Sequence, residues 1–79
     1  MDITVAATQT KRKVSDFRSP NWSVDGPLSQ HHIHYMLWMI ETERISGEKA
    51  HRWLGWAQAA VVSAGAGTLD EMKEINRNA

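Results

Sequence analysis

From Ser29 onward the apolar residues recur at the spacing of an α-helix, and this periodicity limits the fold more than any other feature of the chain. Behind Ser29, a suitable N-cap, Ile33, Met36, Leu37 and Ile40 fall at i, i+3, i+4 and i+7. The spacing predicts a first helix that ends between Glu43 and Ile45. Ser46 reads as the N-cap of a second helix, with Glu48 in its first turn, where a negative charge meets the positive end of the helix dipole. Ala50, Trp53, Leu54, Ala57, Ala60, Val61 and Ala64 form one stripe about 120° wide along that helix. Gly65 and Gly67 are expected to stop it, because glycine takes the left-handed cap conformation without penalty. The string TLDE, Thr68 to Glu71, has the form of a capping box and opens a short third helix with Leu69, Met72 and Ile75 inward. The expected fold class is all-α: a helical hairpin with a short third helix across one end, occupying residues 28–79.

The residues before Leu28 read differently. Both prolines of the chain lie there, among serines, threonines and aspartates. Lys11, Arg12, Lys13 and Arg18 give four positive charges against Asp2, Asp16 and Asp25, a net of +1. A short strand at Ile3 to Ala6 would have no partner. Residues 1–27 are therefore expected to form an N-terminal arm, extended or partly disordered at least through Lys13, with Phe17 and Trp22 able to pin its second half to the helices.

Composition narrows the rest. Seventy-nine residues make one domain, near the lower limit for a self-sufficient core. Without cysteine there is neither a disulfide nor a thiolate metal site to staple it, so well-packed helices or an oligomer interface must do so. Nine basic residues balance nine acidic ones, which argues against a broad electrostatic footprint for nucleic acid. Met1 to Thr10 lacks the apolar core of a secretion leader, and the run Ala57 to Gly67 is too short to span a bilayer. The expected setting is the cytoplasm, with no membrane partner.

The stretch HHIHYMLWMIE, His31 to Glu41, carries most of the functional information. At about 100° per residue, Ile33, Met36, Leu37 and Ile40 share one arc, and His31, Tyr35, Trp38 and Ile45 lie roughly opposite, within about 80° of one another. A single hairpin buries only one of these faces. The second must be covered by the N-terminal segment, by a second subunit or by an unrelated partner. Tyr and Trp suit such a contact because they bury much area with few torsions to freeze. The candidate partner-binding patch is thus His31, His34, Tyr35 and Trp38, rimmed by Arg44, Lys49 and Arg52 near the interhelical turn. The small residues of the second helix, Gly55, Ala57, Ala59, Ala60, Ser63 and Ala64, permit close helix approach, either inside the hairpin or against a copy of the chain.

Other chemistries are poorly supplied. His31 and His34 are three apart and His51 could approach them, but structural zinc wants four ligands and Glu41 is two turns from His34. His32 is expected to project away from this cluster. No metal, no cofactor and no catalytic residue is expected: no nucleophile stands beside a base, and SAGAG, Ser63 to Gly67, reads as a helix stop and not as a phosphate loop. Asp70 and Glu71 are explained by capping. The alternative binding mode is nucleic acid, with Lys11, Arg12, Lys13 and Arg18 laid along phosphates as a basic arm.

MLWMIE, KAHRWLGWAQ and GTLDEMKEIN, within His34 to Asn76, resemble segments of small accessory proteins of tailed bacteriophages and prophages. The resemblance covers a little over half of the chain, rests on Trp-containing helix patterns, and carries over no individual functional residue. It implies a context in which small proteins bind a host protein and inhibit or redirect it, in host takeover or in anti-defence, including action against CRISPR effectors. The leading expectation is accordingly a non-enzymatic helical protein, dimer favoured, that binds a host protein in the host cytoplasm. A small nucleic-acid-binding regulator and a structural oligomer are the alternatives.

Overall fold

A computed structural model describes residues 1–23 and 25–79. Four helices follow one another: α1 (Ile3–Asp16), α2 (Gln30–Glu41), α3 (Gly47–Ala64) and α4 (Leu69–Asn78). The all-α class and the positions of the last three helices agree with the periodicity. Ser29 caps α2, its hydroxyl accepting from the His32 N–H at 3.1 Å. At α4 both halves of the capping box form, with Thr68 accepting from the Glu71 N–H at 3.1 Å and the Glu71 carboxylate accepting from the Thr68 N–H at 2.9 Å. Gly65 ends α3 in the left-handed conformation, φ 81°. Four details differ from the sequence reading. Helix α2 ends at Glu41, short of the expected Glu43 to Ile45, and Leu69, expected inward, is 59% exposed. Ser46 stands at the N-cap of α3 without a side-chain hydrogen bond. Gly67 is closely packed and is not the cap: a Cβ there would come within 3.1 Å of Met72 Cε and Val61 Cγ1.

The largest departure is at the N-terminus. The expected extended arm is a helix of 14 residues. Asp2 caps it, one carboxylate oxygen accepting from the Thr4 N–H at 3.0 Å and the Val5 N–H at 3.4 Å. Ala6, Ala7, Thr10 and Val14 then fall on one face and are buried. β-Branched Thr and Val have only modest helix propensity, so tertiary packing must stabilise this helix. It lies chiefly against α2 and also touches α3 and α4. Thr10 is buried at no polar cost: its hydroxyl donates to Ala6 O at 2.8 Å and accepts from Gln58 Nε2 at 3.2 Å. Gln58 and Asn76 in turn exchange side-chain hydrogen bonds at 2.8 and 2.9 Å, tying α3 to α4.

Ile33, Leu37 and Ile40 of α2 form the centre of the core with Val14 of α1 and Val61 of α3. Each buried aliphatic contributes about 1.5–3 kcal/mol, so a chain this short depends on α1 for a full share of its stability. Phe17 and Trp22 do pin the α1–α2 connection: their rings meet edge to face at 5.7 Å, and Trp22 Nε1–H donates to Leu28 O at 2.8 Å. Among the described residues every buried side-chain nitrogen and oxygen has a partner, and no helix is long and apolar enough to cross a membrane.

A candidate protein-docking face on α2

With α1 packed in place, α2 still keeps one side open. Residues three apart are neighbours on a helix surface. His32, Tyr35 and Trp38 therefore follow one another on successive turns, their rings tilted to each other by 34° and 31° with centroids 6.4 and 6.3 Å apart. Tyr35 is 45% exposed and Trp38 half-buried. Past the end of α2, the chain turns through Glu43, whose φ of 60° reverses its direction, and brings Arg44 back over the ladder. The Arg44 guanidinium carbon lies 4.7 Å from the Trp38 ring centre. On the neighbouring helix Lys49 Nζ sits 5.4 Å from the ring centre of half-buried Trp53. These cation–π contacts hold positive charge directly at the aromatic surface.

The seven residues expected to form the partner-binding patch are thus divided. Tyr35, Trp38 and Arg44 come together. Lys49 stands on Trp53 and Arg52 is exposed on the next turn of α3. His31 and His34 turn the other way, toward α1, where they line an open cleft of about 520 Å3 with Arg18, Trp22 and Gln30. His32, expected to project elsewhere, is the first rung of the ladder; the wheel angle measured from His31 hid its i, i+3 relation to Tyr35. Trp56, 50% exposed with its Nε1–H donating to Pro27 O at 3.4 Å, was not singled out by the sequence either. Only its position at the edge of the α3 stripe could have drawn notice.

The basic residues of the expected N-terminal arm are largely engaged. Lys11 pairs with Glu41 at 2.5 Å, Lys13 pairs with Glu71, and Arg18 donates to the Ser15 carbonyl. Arg12 remains exposed. The expected extended or partly disordered basic arm is therefore replaced, through Asp16, by a helix whose two lysines neutralise acids of α2 and α4. Among the described residues no three His, Asp or Glu side chains converge as a metal-holding group.

The α1–α2 seam titrates. Burial is the first cause that lowers the pKa of His34 below its ordinary 6.5; the Lys11 charge follows, Glu41 opposes both, and His31 adds to the depression. The Glu41 carboxyl lies below its ordinary 4.5, first because Lys11 donates to it, then because Thr8 does. For His34 the unfolded chain takes up its proton at higher pH than the folded one. Its contribution is complete above pH 6.5 and is lost as pH falls from there through the depressed folded value. The Glu41 contribution is complete above 4.5 and is lost below it. The thermal midpoint, followed by circular dichroism, should therefore fall as pH drops below 6.5, with a second fall below 4.5. His34→Gln should flatten the first limb and leave the second; an unchanged first limb in that variant would contradict the assignment.

Comparison of the chain with protein-family models, with curated proteins and with solved structures returns no match.

Proposed function

We propose that this chain is a non-enzymatic binding protein of phage origin that docks its α2 face onto a host protein in the host cytoplasm and inhibits or redirects it. The observation that carries the reading is the His32–Tyr35–Trp38 ladder beneath Arg44: three neighbouring rings, one exposed and two half-buried, that lie outside the buried core. Trp38, held between Tyr35 and Arg44, is partly ordered before contact, which lowers the side-chain entropy lost on binding. Tyr, Trp and Arg are also the residue types that concentrate binding energy at interface centres. Arg44, with Lys49 and Arg52 at the margin, gives the face a positive rim suited to an acidic partner surface, where rim charges govern orientation and rate of approach. The resemblance to phage accessory proteins supports the host-directed part of the proposal. Self-association as a dimer belongs to the same reading, provided that it leaves α2 free.

The nucleic-acid alternative has less support, because Lys11 and Lys13 are held by Glu41 and Glu71. The test is capture from bacterial lysate by the tagged chain, read by mass spectrometry, beside the Tyr35→Ala/Trp38→Ala double variant. A host protein retained by the wild type and released by the folded double variant is the expected result. Equal retention by both would refute the α2 face, and salt-sensitive recovery of nucleic acid in place of protein would favour the alternative.

A further inference from the structure

The end of α1, the α1–α2 connection and the start of α2 border an open cleft of about 520 Å3 that lies outside the α2 ladder. Its chargeable lining groups are Arg18, His31 and His34, and among the described residues no carboxylate lines it. Asp16 and Asp25, the acids nearest in sequence, are exposed outside the cleft. Arg18 forms no ion pair among the described residues. One of its terminal nitrogens donates to the Ser15 and Phe17 carbonyls, which steadies the group and leaves the rest of its donor fork unspent. Neither imidazole is hydrogen-bonded to a described residue. The walls are fixed independently of any ligand. Gln30 Nε2 donates to Val14 O at 2.7 Å and Phe17 O at 3.0 Å, and the Trp22 indole is tied to Leu28 O.

We propose that this cleft binds a small phosphate monoester, with Arg18, His31 and His34 around the phosphate and the organic body against Pro20 and Trp22. Donors gathered without an acid favour an anion among them. The donor set selects among anions. A phosphate monoester carries a charge of about −1.5 to −2 near pH 7 and three terminal acceptor oxygens. The guanidinium fork can hold two of these, and the two imidazoles and the exposed Ser15 hydroxyl supply further donors. A carboxylate has only two oxygens to offer them. The volume points beyond the bare ion: clefts of about 300–1,000 Å3 take small organic molecules, and Pro20 and Trp22 give this one an apolar side. A polynucleotide would need the cations to continue along its backbone, yet Lys11 and Lys13 are held by Glu41 and Glu71. The site is independent of the docking reading, because neither Tyr35 nor Trp38 lines it.

The test is a chemical-shift titration of the full chain by NMR, with phenyl phosphate, inorganic phosphate and a single-stranded oligonucleotide as probes. Phenyl phosphate should bind with Kd below about 1 mM, at least about tenfold tighter than inorganic phosphate. Arg18→Gln, at an exposed position, should keep the helical circular dichroism and weaken binding at least about tenfold. Arg12→Gln, which removes an exposed cation of α1 outside the cleft, should leave it within about twofold. The groups facing His34 are Lys11 from α1, His31 and Glu41 from α2, and Arg18 on the same cleft. A phosphate beside His34 opposes the effects of its burial and of the Lys11 and His31 charges. Saturating phenyl phosphate should therefore raise the His34 pKa, read from the imidazole protons. An unmoved His34 titration overturns the inference. So does inorganic phosphate bound as tightly as the ester, an equal loss in Arg12→Gln and Arg18→Gln, or tighter binding of the oligonucleotide. The absence of any binding of phenyl phosphate at about 10 mM overturns it as well.

Discussion

Val14→Asp is expected to destabilise the entire chain by about 3 kcal/mol or more. Val14 is 1% exposed, in the last turn of α1, and belongs to the same core as Ile33, Leu37 and Val61. A carboxylate placed there must either ionise in an apolar setting or be held neutral, and either costs several kcal/mol. A domain of this length has about 4–12 kcal/mol of stability in total. The loss of about 3 kcal/mol or more therefore consumes a large share of it. Thermal and urea unfolding followed by circular dichroism would read this directly. Were residues 1–27 a detached arm, the substitution would leave the transition where it was. Ser15→Asp, one residue further on and exposed, is the matched control and should shift the midpoint little.

Trp38→Ala is expected to leave the fold nearly intact and to weaken binding to a captured host protein by about 2 kcal/mol or more, roughly 30-fold in Kd. The two effects separate because Trp38 contributes to the monomer mainly through its contacts with Tyr35 and Arg44, at a partly hydrated surface. Such a cation–π contact is worth about 0.5–1 kcal/mol when exposed. In an interface the same ring would lose its remaining water and fill a pocket, which is where hot-spot energies arise. Arg44→Ala should act differently. It removes a rim charge and should chiefly slow association, an effect that diminishes as salt is added. If Trp38→Ala instead unfolds the chain, the ring is part of the core and the docking face is lost with it.

The contrast between α1 and the other helices shows what a single sequence conveys. Helices α2, α3 and α4 announce themselves because long aliphatic side chains repeat at helical spacing between capping signals at Ser29, Gly65 and Thr68. The inward face of α1 is made of Ala6, Ala7, Thr10 and Val14, residues too small or too polar to register as an apolar stripe. Its stabilisation comes from partners remote in sequence: Gln58 for Thr10, Glu41 for Lys11 and Thr8, Glu71 for Lys13. None of these pairings has a local signature. The basic run Lys11 to Lys13 accordingly reads as a free arm until the acids on α2 and α4 are brought beside it.

The candidate site was legible in the same partial way. That α2 has two faces follows from the wheel, and Tyr35 and Trp38 do remain at the surface. What covers the rest of α2 depends on α1, which takes His34 and Glu41 into its seam and leaves His31 beside the cleft. His32 joins the ladder because ring proximity follows neighbours three residues apart, a relation that angular sorting about one reference residue obscures.

The most direct measurement is hydroxyl-radical footprinting of the chain alone and in complex with the host protein that it captures. The account predicts that Tyr35 and Trp38 are labelled in the free chain and protected in the complex. Trp22, 7% exposed in the core, should react weakly in both. Equal labelling of Tyr35 and Trp38 in the two states, with protection elsewhere on the surface, would contradict it.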